Sequence, residues 1–436
     1  MKKSKFIIVL ALFFIGLNSN AQNTIAITKE AILEATLSNN LSLKIVGKES
    51  EKAVADFKQS NALFLPNITA SHTGFTTTNP LMAFGSKLNQ EILTASDFNP
   101  TLLNNPSRTQ NFATRIAVEQ PLINLDGVYE RKAAKSKIEA MALQTIRTKE
   151  HLTLEVAKAY MQLQLSYKAL QVATQALQTT QEHYRIAHQN FKQGLLQKAS
   201  VLNIEVRLTE VKNHLQTAKS NVQNASDYIS FLMNNKETNI YKPQDSLSVF
   251  ANVNLSEKIS EDRADIQAMG LSVKGNEAIN KATKMSFLPR VNAFATYELY
   301  DNAIFTGNAS GYLIGAAVTW NIFEGSKKIG KLQKSKAVLE TSKLAYQEYV
   351  SKSNLEFNKA QRMLLDLENK LELTQLAVQQ SKESLRIRTN RFKEGLEKSA
   401  ELLQSETQYA QKQLEYYKTI FEYNYTVAYL AFLAKE

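Results

Sequence analysis

The sequence predicts an α+β membrane protein made of long helical hairpins and a few β-strands, with the whole arrangement repeated once along the chain. Three observations support this fold class. Glycine and proline are absent from four long stretches, although the 436 residues include 14 glycines and 7 prolines. Short segments between some of these stretches alternate apolar and polar residues. Several motifs also occur twice in the same order, which indicates an internal duplication.

The chain opens with a predicted secretory signal peptide, residues 1–21. Three lysines precede an apolar run ending at Leu17, and the small residues Ser19 and Ala21 favour cleavage before Gln22. The apolar run is too short for a membrane-spanning helix. We therefore expect an exported chain that no helix anchors in a membrane.

Composition argues against several kinds of partner and linkage. The chain has no cysteine, so we expect no disulfide and no lipid anchor on a thiol. The net charge is +11, but three of the positive charges lie in the signal peptide and the other lysines are interspersed with glutamates. Such a pattern is typical of a solvated surface, and no nucleic-acid partner is expected.

No motif in the sequence indicates an enzyme. The five histidines lack the spacing of metal ligands, and His183 and His188, five residues apart, do not share a helix face. Neither a phosphate-binding glycine loop nor a nucleophile elbow is present. We expect no catalytic residues, no metal and no cofactor.

Two very long helices are predicted, from Val128 to about Asn190 and from Lys331 to Lys393. Apolar or small residues recur three and four positions apart in both stretches. Helices of this length would be on the order of 95 Å long, so the molecule should be elongated. Each ends in a glycine corner, "NFKQGLLQKASVL" in the first half and "RFKEGLEKSAELL" in the second. We predict that each corner reverses a helical hairpin through a left-handed glycine.

Four β-strands are predicted, in pairs at about 67–123 and 290–322. "RVNAFATYELY", from Arg290, and "YLIGAAVTWNIF", from Tyr312, alternate with a period of two and carry aromatic residues near their ends. This pattern is typical of transmembrane β-strands. Half-buried strands of a soluble sheet have the same pattern, so the segments alone leave both interpretations open.

The repeats divide the mature chain into residues 22–236 and residues 237–436, the second part beginning with an equatorial segment. "FLPN" at Phe64 returns as "FLPR" at Phe287, and the two glycine corners are 201 residues apart. Four strands cannot close a barrel in lipid, because open edges leave backbone groups unpaired. If the strands lie in a membrane, several chains must share one barrel. This argument does not choose between a dimer and a trimer.

The chain resembles the TolC-like outer membrane efflux proteins over essentially all of residues 22–436. The resemblance rests on "TIAITKEAILEATLSNNLSLK", the two "FLP" motifs, "RADIQA" at Arg263, "WNIFEG" and both corners. It implies a homotrimer with a shared 12-stranded barrel in the outer membrane of a Gram-negative bacterium, continued by an α-helical tunnel across the periplasm. Such a protein is the passive exit duct of a tripartite efflux pump or a type I secretion system. The protein would contact outer membrane lipid, and a long first hairpin loop, residues 79–106, would lie on the cell exterior.

The resemblance also assigns partners to the two corners. In this family the corners form the periplasmic tip, which meets a periplasmic adaptor (membrane fusion) protein and, directly or through it, an inner-membrane pump. The implied docking residues are Phe191, Gly194, Leu195, Phe392, Gly395 and Leu396. An ordinary hairpin turn whose phenylalanine and leucine side chains pack internally would produce the same pattern.

The family's periplasmic gate is an acidic ring, which here corresponds to Glu401, with Glu397 at the position of the usual basic partner. Gln404 replaces the next acid, and Ser200 stands at the equivalent position of the first corner. Carboxylates repeated around a threefold axis would repel, which favours an open ring, bound cations or protonation. Glu401 as a solvated helix residue is the alternative.

Two other classes of function remain open from the residues alone. A non-conducting coiled-coil envelope scaffold or a periplasmic adaptor would explain the helices, but neither explains the strand pairs and the duplication. An exported enzyme would need a catalytic constellation that the sequence does not offer. The sequence identifies neither the transported substrate nor the energy source of the pump.

Overall fold

The computed structural model describes residues 24–251 and 256–434, so the predicted signal peptide lies outside the described residues. The helices of this part of the chain are α1 (Lys29–Asn39), α2 (Leu41–Gln59), α3 (Pro80–Asn89), α4 (Pro100–Asn104), α5 (Leu125–Lys192), α6 (Lys198–Met233), α7 (Ala264–Met285), α8 (Lys327–Lys393) and α9 (Ser399–Ala434). The strands are β1 (Thr24–Ile27), β2 (Asn67–Thr77), β3 (Thr109–Ile123), β4 (Ile240–Pro243), β5 (Arg290–Asp301) and β6 (Ala309–Thr319). Short 3₁₀ helices occupy Ser60–Leu63 and Ala95–Phe98.

The predicted long helices are confirmed. Helix α5 has 68 residues and α8 has 67, and each is followed by a 36-residue helix, α6 or α9. Helices α5 and α8 end 201 residues apart, and so do α6 and α9. The equal lengths and the constant offset reflect the repeat that the motifs indicated.

The chain divides into two compact units. The helical unit comprises Met1–Gly47, Thr145–Ala264 and Val350–Glu436, and the sheet unit comprises Lys48–Gln144 and Asp265–Tyr349. Each unit takes segments from both halves of the sequence. The glycine corners belong to the helical unit, and all four predicted membrane strands belong to the sheet unit.

The sheet unit contains one antiparallel sheet in the order β2-β3-β5-β6, in which β3 pairs with β5 and joins the two hairpins. Tyr297 lies opposite Tyr312, and the period of two places alternate residues on one face. This face is apolar and largely exposed, with Ile314 71% exposed. The opposite face carries an ion pair between Arg115 and Glu298 at 3.4 Å. The residues of the apolar face include Ile68, Ile116, Val118, Val291, Ala293, Ala295, Tyr297, Tyr312, Ile314, Ala316 and Val318.

The segment between β2 and β3 is folded, whereas the sequence predicted only a long loop. Asn79 caps α3 and Asn99 caps α4, each through its side-chain oxygen, and a proline follows each cap. Thr94 and Asp97 form a capping box at the 3₁₀ turn between the two helices, and Lys87 Nζ lies 2.8 Å from Asp97 Oδ1. Local capping therefore orders this segment. It has no counterpart in the second half of the chain, where only residues 302–308 connect β5 to β6.

The helical unit has its principal core around α1, α5 and α6, where Ile32, Leu163 and Ile229 are fully buried. Strands β1 and β4 pair in parallel beside this core. Arg263, from the "RADIQA" motif, is also buried and donates hydrogen bonds to the Leu433 carbonyl at 3.2 Å and the Ser353 hydroxyl at 2.7 Å. The motif thus links α8 and α9 at the end of the chain. Among the described helices, none is both long enough and apolar enough to span a bilayer.

Candidate functional site at the two glycine corners

The first corner joins α5 to α6 through a left-handed glycine. Gly194 has φ +77°, its N–H donates to the Phe191 carbonyl at 3.0 Å, and the Leu195 N–H donates to the Asn190 carbonyl at 2.9 Å. These two bonds form a Schellman motif, which satisfies the last carbonyls of α5 while the chain turns. A Cβ at Gly194 would meet nothing within 4 Å, so only the backbone angle requires glycine.

The second corner, between α8 and α9, has the same geometry. Gly395 has φ +73°, its N–H donates to the Phe392 carbonyl at 3.1 Å, and the Leu396 N–H donates to the Arg391 carbonyl at 2.9 Å. The predicted left-handed glycines are therefore confirmed at both corners. Two equivalent turns in one chain present two similar local surfaces.

The corners expose apolar side chains at the point where the chain turns. Leu195 is 72% exposed and Leu396 is 67% exposed, and Phe191 keeps 39% of its surface accessible. Isolated exposed leucines are common on protein surfaces. Here, however, both leucines occupy the same position of the same motif, which makes them candidates for one kind of contact.

Phe392 is a correction to the predicted docking surface, because its side chain is only 1% exposed. It packs between the two hairpins in an apolar cluster, so a partner cannot reach its ring. For this residue the internal-packing alternative is the correct one. The buried members of the cluster are Ile186, Ala187, Val201, Ile204, Phe392 and Leu402.

The two predicted gate acids are paired with arginines of their own hairpin. Arg388 Nη1 lies 2.8 Å from Glu401 Oε2 and 3.4 Å from Glu397 Oε1, and Arg391 Nε lies 3.1 Å from Glu397 Oε2. Arg391 also donates to the carbonyl of Leu396 in the corner. The acids are thus compensated before any neighbouring chain is considered. The expected repulsion assumed carboxylates without a nearby positive charge, and the arginine pairs of Glu397 and Glu401 contradict that assumption.

Sequence reasoning missed Arg388 and Arg391, because it compared only positions after the glycine with the family pattern. The available signal was their place in the last turns of α8, where Arg388 lies seven residues and Arg391 four residues before Gly395. Basic residues there interact favourably with the carboxyl end of a helix and lie near the start of the returning helix. A groove of about 820 Å³ adjoins this cluster and is lined by Leu376, Gln379, Gln380, Glu383, Ser384, Ile387, Arg388, Arg391 and Glu397.

The described residues contain no group of three or more histidine, aspartate or glutamate side chains that could hold a metal ion. The arrangement at the corners is instead one of exposed leucines, paired charges and two identical turns. Side chains of these kinds are suited to recognition and to ionic contacts.

The chain resembles known proteins over most of its length. A family model described as outer membrane efflux protein matches residues 32–235 and 255–432. A search of curated proteins found no match to this chain. Among solved structures, the CmeC outer membrane channel of Campylobacter jejuni superposes with a TM-score of 0.81 at 16% identity, covering 93% of this chain and 85% of CmeC.

Two further structures give the same result. CusC, a transmembrane channel, superposes with a TM-score of 0.80 at 15% identity. The alignment covers 96% of this chain and 95% of the CusC chain. The outer membrane protein VceC of Vibrio cholerae has a TM-score of 0.76 at 16% identity and covers 93% of this chain and 96% of its own. At these identities the likeness establishes the fold.

Proposed function

The chain belongs to the outer membrane efflux protein family, and from this premise we propose how it forms its duct, docks its partner and closes. It is an outer membrane exit duct of an efflux system in a Gram-negative bacterium, and it extends into the periplasm. The family consists of channel-type proteins, and we propose that this member catalyses no reaction and conducts its substrates passively. The observation that carries the proposal is the pair of matching corners with exposed Leu195 and Leu396.

The barrel is proposed to be shared by three chains. In the sheet, β2 and β6 are edge strands, so within the described residues their outer backbone groups have no strand partner. Such edges are tolerated in lipid only when another strand pairs with them. Pairing β6 of one chain with β2 of the next closes a barrel, and three chains supply twelve strands. The exposed apolar face then meets lipid, and the face with Arg115 and Glu298 lines the lumen.

The two halves of the chain, residues 22–236 and 237–436, are proposed to be the two structural repeats of this assembly. Each contributes one strand hairpin and one helical hairpin, and the constant offset of 201 residues between the helix ends supports this division. Three chains would then present six similar corners. A ring of six similar corners suits an adaptor that docks several equivalent hairpin ends.

The docking surface is proposed to consist of Gly194, Leu195, Gly395 and Leu396. Phe191, which is 39% exposed beside the first corner, is proposed to contact a neighbouring chain rather than the adaptor. The leucines supply exposed apolar anchors, and the glycines allow a partner backbone to approach closely. The partner is a periplasmic adaptor protein, through which the duct is connected to an inner-membrane pump. Changing both leucines to serine should abolish co-purification of the adaptor while the trimer persists. The matched control is Leu373→Ser, which alters a leucine of α8 that is 66% exposed away from the corner.

The gate is proposed to be the charge cluster of Glu397, Glu401, Arg388 and Arg391 at the second corner. Because each acid already has an arginine within 3.1 Å, the cluster can rearrange by exchanging partners rather than by exposing bare charges. The first corner has Ser200 at the position of Glu401, so the three second corners would carry the charge of the ring.

The decisive experiment is single-channel conductance of residues 22–436 in a planar bilayer, compared with Glu401→Ala and with the matched control Ser200→Ala. We expect discrete steps whose cation preference falls in Glu401→Ala and is retained in Ser200→Ala. Conductance steps that are the same in the wild type and in both variants would support the duct and refute the gate. Inserted trimers that conduct nothing, even after the gate acids are removed, would contradict a passive duct and favour a scaffold.

A further inference from the structure

A buried polar cluster connects the two helical hairpins of one chain. The Glu406 carboxylate on α9 is only 2% exposed; it accepts a hydrogen bond from the hydroxyl of Thr180 on α5 and lies 2.9 Å from Nδ1 of His183, which is 1% exposed. Arg207 Nε on α6 approaches to 3.6 Å of the same carboxylate. Three helices from the two hairpins thus converge on one acid. Neither the family pattern nor the gate accounts for it.

The repeat does not conserve this cluster. Shifting each position by 201 residues places Ser381 at the equivalent of Thr180, Ser384 at that of His183, and Gln408 at that of Arg207. The equivalent of Glu406 is Glu205 on α6, which is exposed. The second set therefore has one acid and two serine hydroxyls, and it lacks both the imidazole and the guanidinium.

The apolar contacts next to this cluster show the same difference. Phe392 and Leu402 of the second hairpin are buried in one cluster with Ile186 and Ala187 of α5. Phe191, the equivalent of Phe392, is 39% exposed, and Ile387, the equivalent of Ile186, is 46% exposed, whereas Val201, the equivalent of Leu402, is buried in the same cluster. Each half thus has one surface that carries a phenylalanine and another that carries the isoleucine on which a phenylalanine can pack. Within one chain, only the surfaces of Phe392 and Ile186 meet.

The repeat predicts what covers the two exposed surfaces, those of Phe191 and Ile387. The second half covers α5 of its own chain, so the first half of another copy can cover α8 in the same way. Phe191 would then lie on Ile387 of the neighbour as Phe392 lies on Ile186. In this register Glu205 of one chain faces Ser384 of the next, because Ser381 is buried and its hydroxyl donates to the Val378 carbonyl of its own helix. The ring of corners has two alternating kinds of seam, one inside each chain and one between chains.

We infer that the buried Glu406–His183–Thr180 cluster locks the two hairpins of each chain together, so that the corners part along the seams between chains when the duct opens. This inference rests on the proposed function, because it requires several copies around one duct. Opening the seam inside a chain would leave the Glu406 carboxylate without its hydrogen-bond partners, or would require its rehydration. At the seam between chains, Glu205 is already exposed in a single chain and loses no buried partner.

A second difference weakens the seam between chains. Ala187 is fully buried in the apolar cluster, and its equivalent in the second half is Arg388. Arg388 is held at 2.8 Å by Glu401 of its own corner. A guanidinium that replaces a buried methyl group keeps this seam polar and hydrated. The same arginine therefore connects the gate acids to the seam that is inferred to open.

The test is to transplant the lock into the seam between chains with Ser384→His, which gives Glu205 of the neighbour an imidazole partner. A net hydrogen bond to a charged group corresponds to about a tenfold change in an equilibrium. We expect about a tenfold lower open fraction in bilayer recordings and a higher temperature of trimer dissociation in detergent. The matched control is the double variant Ser384→His with Glu205→Gln, compared with Glu205→Gln alone. In this variant both effects should be much smaller.

Two results would overturn the inference. One is a Ser384→His effect of equal size with and without Glu205, since the imidazole would then act elsewhere. The other is an intact trimer in which Ser384→His changes neither the open fraction nor the dissociation temperature. The dissociation temperature tests the seam even if the wild-type protein does not conduct, whereas conductance that is absent from both the wild type and Glu401→Ala counts against the duct. Failure of the lock and failure of the proposed function are therefore distinguishable.

Discussion

Phe191 and Phe392 occupy equivalent positions in the two helical hairpins, yet Phe392 is buried between the hairpins and Phe191 lies partly on the surface. The backbone bonds around the two residues are the same, so the local sequence does not cause the difference. It arises because the second hairpin packs against α5 of its own chain, whereas the first has no such neighbour within the chain.

Replacing these two phenylalanines by alanine should have different consequences. Phe392→Ala should lower the free energy of unfolding by about 3–5 kcal/mol, because it leaves a cavity in a packed cluster. Phe191→Ala should cost no more than about 1 kcal/mol in the isolated chain, since much of its ring is already exposed. Denaturant titration in detergent, under conditions in which the trimer has dissociated into folded single chains, measures both values. Equal losses there would show that Phe191 is packed within its own chain as tightly as Phe392.

The two glycines of the corners should tolerate asparagine far better than valine. Valine at Gly194 must adopt a left-handed backbone at a cost of about 1–2 kcal/mol, whereas asparagine visits this region readily. A Cβ atom would meet no other atom within 4 Å at either glycine, so a clash at Cβ does not contribute.

We expect Gly194→Val and Gly395→Val to assemble but to lose efflux, because a distorted corner no longer fits the adaptor. Gly194→Asn separates the backbone effect from the docking effect. It should keep the stability of the wild type while placing a polar side chain at the contact. Drug-susceptibility assays and trimer gels on the same cells provide the measurement. Normal efflux in both valine variants would refute docking at the corners.

Much of the fold could be predicted because local patterns determine it. Long stretches without glycine or proline continue as helices once nucleated, and alternation gives the faces of the sheet. The corners at Gly194 and Gly395 were predictable because a left-handed turn after a long helix has few sequence solutions. The folded segment between β2 and β3 was missed although its caps, Asn79 and Asn99, are visible in the sequence.

The candidate site was less predictable because it depends on contacts between distant segments. Nothing in the local sequence of Phe392 shows that α5 will cover it. The pairing of Glu406 with His183 joins residues 223 positions apart and exists only once the hairpins pack. Arg388 and Glu401 are close in sequence, but their pairing requires the reversal of the chain at the corner.

Arg388 should control the ion preference of the gate. It is the arginine nearest to Glu401, so Arg388→Gln leaves that carboxylate uncompensated and makes the ring more negative. Reversal potentials in a salt gradient should shift towards stronger cation selectivity, and the shift should shrink at high salt because the charges are screened. Arg386→Gln is the matched control, because among the described residues Arg386 forms an ion pair only with Glu383 of the same helix. Identical reversal potentials for the two variants would refute a role for Arg388 in the gate.

The folded segment between β2 and β3 should become susceptible to protease only at strongly acidic pH. Asp97 accepts hydrogen bonds from Lys87 Nζ at 2.8 Å and from the backbone N–H of Thr94 at 2.8 Å. The hydrogen bond from Lys87, followed by those from Thr94, lowers the pKa of Asp97 from 3.8 to about 2. Because the folded pKa is depressed, this contribution to stability is present above about pH 4 and is lost as the pH falls through about 2.

Pepsin digestion at pH 4 and at pH 2 measures this effect, because the segment contains Phe84 and Phe98 as cleavage sites. We expect cleavage within residues 79–106 to accelerate at pH 2 in the wild type. Lys87→Met removes the main cause of the pKa shift, so this variant should already be cleaved readily at pH 4, and its ratio of rates also corrects for the pH dependence of pepsin itself. Lys58→Met, at the end of α2 and outside the segment, should behave as the wild type. An unchanged ratio in Lys87→Met would show that the capping box, rather than the ion pair, maintains the fold of the segment.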